Sequence, residues 1–119
     1  IIHKEPKSAF KLDFKHPEDV VCVMGHTRHS TQGSEKKNYN NHPFSGSCKN
    51  VNFALAHNGI LSNDRELKRK FHLPKTKIET DSYVAVQLLK SILTIRVLNS
   101  WRKILKAVLL SQYLTVIIF

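Results

Sequence analysis

The stretch Gly25-His26-Thr27-Arg28-His29-Ser30-Thr31-Gln32-Gly33 decides how the rest of this 119-residue chain is read. It follows residues 20–25 (VVCVMG), a β-branched apolar run of the kind that forms a strand buried on both faces. Polar residues bracketed by two glycines at the end of such a strand are how a fold presents a binding loop. Arg28 can hold a carboxylate bidentately, and the hydroxyls of Ser30 and Thr31 can complete the grip. The same residues also fit a solvated turn braced by a structural arginine.

Outward from this stretch, residues 26–50 are rich in His, Asn, Ser, Gly and Lys and lack apolar spacing, which predicts one long loop. A loop of that length inside a small domain is usually functional or disordered. Residues 53–57 (FALAH) predict a second strand, ended by His57-Asn58-Gly59. Asn-Gly there reads either as a type I′ hairpin turn or as an oxyanion hole, with the Asn58 amide and the Gly59 N–H converging on one oxygen. Asn63-x-x-Glu66 resembles a capping box opening a short basic helix over residues 64–71, stopped by Pro74. Thr80-Asp81-Ser82 precedes helix-forming residues through Leu89. A Thr80 or Asp81 N-cap explains that triplet; the alternative is Asp81 accepting hydrogen bonds from a ligand ammonium. Residues 1–3 read as the end of a strand.

Composition sets the bounds. With 41% hydrophobic and 24% charged residues, the chain is one small domain at most, neither disordered nor disulfide-stapled. Nineteen Lys and Arg against nine Asp and Glu give a net charge of +10, which invites a small basic nucleic-acid-binding module as an alternative function. The longest uncharged run in the tail, residues 107–119, holds thirteen residues, short of the ~20 needed to cross a bilayer. Cys22 and Cys48 lack tight spacing, and no basic-then-apolar signal order opens the chain, so a cytoplasmic location is expected. His26, His29, His42, Cys48 and His57 tempt a metal reading. No Cys-x-x-Cys or His-Glu-x-x-His spacing supports it, and neither metal nor cofactor is expected.

Taken in order, GHTRHSTQG, NNHPF (residues 40–44), ALAHNGILSN (residues 54–63) and TDS (residues 80–82) resemble the class II glutamine amidotransferase domain, an N-terminal-nucleophile hydrolase family. The resemblance covers residues 1–89 and implies part of a four-layer αββα sandwich. It implies that glutamine is the ligand, with Arg28 and Thr31 at its α-carboxylate and Asp81 at its α-ammonium. Asn58 and Gly59 would form the oxyanion hole, and Gln32 and His57 would line the substrate site. Gln32 stands where the synthase branch carries His, and His29 where an aromatic residue is common. The family's nucleophile is an N-terminal cysteine whose own amino group is the base. Residue 1 here is Ile, and neither Cys22 nor Cys48 takes that place. The resemblance therefore implies a chain without its first strand, its nucleophile and its synthase partner domain. Such a chain would hydrolyse nothing by itself, or act as a glutamine-binding pseudoenzyme.

All nine acids lie between Glu5 and Asp81, and the last 38 residues hold none. The family would continue past Leu89 with an acidic helix and a strand. Suitable codons for residues 99–116, read in a shifted frame, encode FMEEDFESSFAFTIFDC, close to that expectation. A reading-frame change near residue 90 is the expectation for residues 90–119; the alternative is a divergent helix and a hydrophobic strand. Five of the nineteen basic residues (Lys90, Arg96, Arg102, Lys103 and Lys106) belong to this tail, which weakens the nucleic-acid reading.

Overall fold

A computed structural model describes residues 1–15, 17–48, 51–94 and 114–118. Three strands, β1 (Phe44–Cys48), β2 (Val51–His57) and β3 (Leu114–Ile118), form one antiparallel sheet in the order β1-β2-β3. Phe44 lies opposite Leu55 and Cys48 opposite Val51; on the other side Phe53 faces Ile118 and His57 faces Leu114. Two helices, α1 (Asp64–Lys70) and α2 (Ser82–Thr94), complete the α+β arrangement. α2 packs on β1 and β2, and α1 packs on α2.

β2 lies between two strands, so every residue from Phe53 to His57 is buried whichever way its side chain points. That is why FALAH carries no polar alternation. The core joins Phe44, Phe53 and Leu55 to Leu61, Leu67, Val84, Ala85, Val86 and Leu88. Each large apolar side chain buried there contributes roughly 1.5–3 kcal/mol. Gly46 is opposite Phe53, and a Cβ on it would meet the Phe53 ring at 2.1 Å, so the aromatic ring fills the space a side chain would need.

Several local expectations change. Residues 1–3 and 20–25 form no strand, and Val21 and Val23 are exposed rather than buried on two faces. Strand propensity needs a partner, and none of the three described strands pairs with these segments. The loop expected over 26–50 contains a 3₁₀ turn, Asn38–Asn40, and all of β1. Asn63 precedes α1 without a side-chain capping bond; the helix is instead braced by Lys68 Nζ donating to Asp64 Oδ2 at 2.9 Å. α1 closes at Lys70, followed by His72 in the left-handed region (φ 48°), ahead of Pro74. α2 runs on past Leu89 to Thr94.

The described residues supply one sheet and the helices on it. Among them no helix is long and apolar enough to cross a membrane.

Candidate functional site

The end of β2, the start of α2 and the stretch beginning at His26 meet around one cleft of about 250 Å³. That is just below the usual ~300–1,000 Å³ of ligand pockets. Arg28, Thr31, His57, Asn58, Gly59 and Asp81 all line it. Of the residues expected at the site, Gln32 and Ser30 do not, and the Ser30 hydroxyl donates instead to Glu35 Oε2 at 2.6 Å.

Asp81 is buried at the head of α2, and its side chain does not simply cap that helix. Oδ2 accepts the Leu61 backbone N–H at 2.5 Å, and Oδ1 accepts the Ser82 hydroxyl at 3.3 Å. Asp81 thereby holds the segment just after Asn58-Gly59 against the helix. Neither Asn58 nor Gly59 lies in the left-handed region, so the type I′ turn does not form. Glycine is required at 59 for another reason. A Cβ there would stand 2.7 Å from His57 Nε2.

Arg28 works mainly within its own loop. Nη2 donates to the Gln32 and Gly33 carbonyls, the latter at 3.0 Å, and Nη1 donates to Asn41 Oδ1 at 3.2 Å. Gln32 thus serves through its backbone. Gly33, at φ 70°, makes the left-handed turn that brings its carbonyl round, with Asn40 packed where a side chain would project. Three bonds from five N–H donors leave two for a ligand carboxylate. Burial lowers the Arg28 pKa, and the Glu35 and Asp81 carboxylates oppose that shift. A cation and an anion therefore act on one another across a single cleft.

Three imidazoles form its floor. His26 and His42 pack with ring centres 4.2 Å apart and planes tilted by 44°, and His42 meets Phe44 edge-on at 4.6 Å. His26 Nε2 lies 3.2 Å from the His57 carbonyl, which can only accept, so that nitrogen carries the proton. His57 Nδ1 lies 3.0 Å from Ser82 Oγ. Burial holds all three below the usual histidine range, with His42 pushed down to about 3, further lowered by the charges of His26, Arg28, His57 and Lys4. For His57 the nearby Asp81 charge opposes the effect of burial. Among the described residues, no three His, Cys, Asp or Glu side chains are arranged to hold a metal ion. Ser82, His26 and His42 also line the cleft, although the sequence reading gave Ser82 no role beyond the helix start and weighed the two histidines only as metal ligands. The signal for Ser82 was its place beside Asp81 at a helix start.

The sequence profile of the class II glutamine amidotransferases matches residues 14–113. The chain belongs to that family. Residues 1–13 precede the match, and the four motifs lie inside it. The chain is 34% identical over 93 residues to a glutamine–fructose-6-phosphate aminotransferase (isomerizing) of Bacillus thuringiensis, covering 76% of this chain and 15% of that protein. It is 41% identical over 73 residues to the Staphylococcus epidermidis aminotransferase of the same name, covering 60% of the chain and 12% of the relative. With the Staphylococcus aureus protein it shares 39% over 85 residues, 71% of the chain and 13% of the relative. The chain thus spans about an eighth to a seventh of the length of the relatives it matches. No solved structure matches it.

Proposed function

We propose that this cleft is the glutamine site of a class II amidotransferase domain whose parent hydrolyses glutamine to glutamate and ammonia. The observation that carries the reading is the gathering of Arg28, Asn58-Gly59 and Asp81 around one cleft. A free α-amino acid needs a cation for its carboxylate and an anion for its ammonium. Its carboxamide, as the carbon becomes tetrahedral, needs neutral donors for the oxygen. Arg28 offers its two remaining N–H groups to the carboxylate with Thr31 beside it, Asp81 takes the ammonium, and the Asn58 amide and Gly59 N–H take the oxyanion. His57 lines the same site.

The thiolate that attacks the amide is, by family likeness, that of an N-terminal cysteine. Neither Cys22 nor Cys48 lines the cleft, so the described residues supply the binding groups for glutamine and no thiolate. The attack would form a glutamyl thioester and release ammonia, which water then cleaves to glutamate. The four-layer sandwich is reached when this sheet meets the strands carrying that cysteine. Ammonia would pass to a synthase domain outside this chain, in keeping with its likeness to the fructose-6-phosphate aminotransferases. A soluble cytoplasmic enzyme fits this chemistry.

The same reading separates residues 1–89 from a frame-changed tail, residues 90–119, on the break in charge and the back-translation of 99–116. The family match runs on to residue 113, so the gene is the arbiter. An open shifted frame encoding FMEEDFESSFAFTIFDC is expected; an interrupted one overturns it.

Calorimetric titration of L-glutamine into the chain tests the binding reading. Saturable heat that Arg28→Ala removes is expected. No heat from folded protein, with salt-sensitive binding of DNA or RNA instead, would replace the reading by a basic nucleic-acid module.

A further inference from the structure

His57 is 3% exposed, yet its Nε2 has no hydrogen-bond partner. Its other contacts are specific. Ser82 Oγ directs its hydrogen to Asp81 Oδ1, so the hydroxyl oxygen receives the proton on His57 Nδ1. The neutral ring therefore has Nδ1–H and a bare Nε2. Gly59 lies directly against that nitrogen, close enough that a Cβ would stand 2.7 Å from it. From the other side, His26 Nε2–H holds the His57 carbonyl at 3.2 Å. The residue preceding the Asn58-Gly59 turn is thus gripped at its ring and at its backbone. The charged and titratable groups acting on this ring are Asp81 and His26, with His42 beyond them.

We propose that Ser82 and His57 are positioning residues that tie the Asp81 carboxylate to the Asn58-Gly59 turn, so that the ammonium-binding and oxyanion-binding ends of the site are set as one unit. The proposal rests on the glutamine reading above and adds a specificity to it. A carboxamide-bearing amino acid uses both ends of the unit. An amino acid of similar length without the amide, such as L-norvaline, uses only the Arg28 and Asp81 ends. Losing the Ser82 hydroxyl frees the imidazole to turn or to change tautomer, and Gly59 loses the surface it lies on. The Asp81 carboxylate keeps its Leu61 bond and its charge. Ser82 thus matters more for glutamine than for norvaline.

The test uses the full 119-residue chain labelled with ¹⁵N. Long-range ¹H–¹⁵N spectra are expected to place the His57 proton on Nδ1 at neutral pH, and to find the same tautomer in Ser82→Thr. Ser82→Ala is expected to mix the tautomers and move the Gly59 amide resonance. It should weaken L-glutamine binding about tenfold while changing L-norvaline binding less than about twofold. A wild-type His57 protonated on Nε2 overturns the proposal without any variant having to fold. Equal losses for both ligands in Ser82→Ala also overturn it, since Ser82 would then act on stability or on Asp81 alone. Glutamine failing to bind the folded wild type strikes the glutamine reading itself, and the positioning role falls with it. Glutamine binding with the wrong tautomer strikes the positioning role only.

Discussion

Asp81 Oδ2 accepts the Leu61 N–H at 2.5 Å, fastening the first residues before α2 to the segment that leaves β2. Both partners are buried, so the bond separates two roles of one carboxylate. Asp81→Asn keeps an acceptor oxygen for Leu61 but removes the charge. Its stability is expected to stay within about 1 kcal/mol of wild type, while glutamine binding disappears. Asp81→Ala leaves a buried N–H without a partner and is expected to cost roughly 2–3 kcal/mol as well. Urea unfolding and calorimetry on the two variants check the distinction.

Two glycines make opposite predictions about where damage lands. Gly46→Ala drives a methyl into the Phe53 ring, at 2.1 Å from Cζ, in the middle of the core. It is expected to cost about 3 kcal/mol or more. Gly59→Ala meets only the His57 ring edge, at 2.7 Å from Nε2, on the exposed rim of the site. Its expected cost is about 1–2 kcal/mol, with loss of the His57–Ser82 bond and of glutamine binding. Denaturant midpoints should rank the two in that order.

The histidine floor makes stability depend on acid. Burial keeps His42 neutral in the fold down to about pH 3, while an unfolded histidine protonates near 6.5. Below pH 6.5 the unfolded chain therefore binds more protons, and stability falls as pH falls. The contribution is intact above about pH 6.5. By about pH 3 the loss from His42 amounts to roughly 4 kcal/mol, with His26 and His57 adding in the same direction. Unfolding free energies measured from pH 7.5 to 4 should decline, and His42→Phe should flatten the slope.

Protection from hydrogen exchange should divide the chain. Residues 53–57 and the first turns of α2 carry the buried core and are expected to exchange slowest. Ile1, Phe10 and Val21 are essentially fully exposed, and the backbone around them joins no sheet. Amides of residues 1–25 are expected to exchange within the first time points of a mass-spectrometric series. Protection there equal to that of β2 would contradict the packing described.

The sequence exposed the parts of this structure whose cause is local. FALAH reads as a strand because both its faces are apolar, and the residues after Asp81 read as a helix from their own propensities. Arg28, Asn58, Gly59 and Asp81 could be singled out before the cleft was known, because each stands at the end of an apolar run or the start of a helix, and the fold gathers them around one cleft. β1 was not legible. FSGSC becomes a strand through its pairing with β2 and the Phe53 ring lying over Gly46, and neither is encoded in local propensity. The reverse holds for VVCVMG, which has the propensity and no partner among the described strands. Gln32 acts through its carbonyl, which every residue possesses, so its type carried no signal. Ser82 gained its role from a histidine 25 positions earlier, a distance that only the fold closes.

The central claim is that this cleft is built to hydrolyse glutamine once a nucleophile is supplied. The most direct measurement adds, ahead of Ile1, the cysteine-led segment that family likeness calls for, and follows glutamate release from L-glutamine. The account predicts glutamate and ammonia in equal amounts, abolished by Asn58→Ala and by Asp81→Asn. A folded, extended chain that binds glutamine at neither end and releases no glutamate would contradict it.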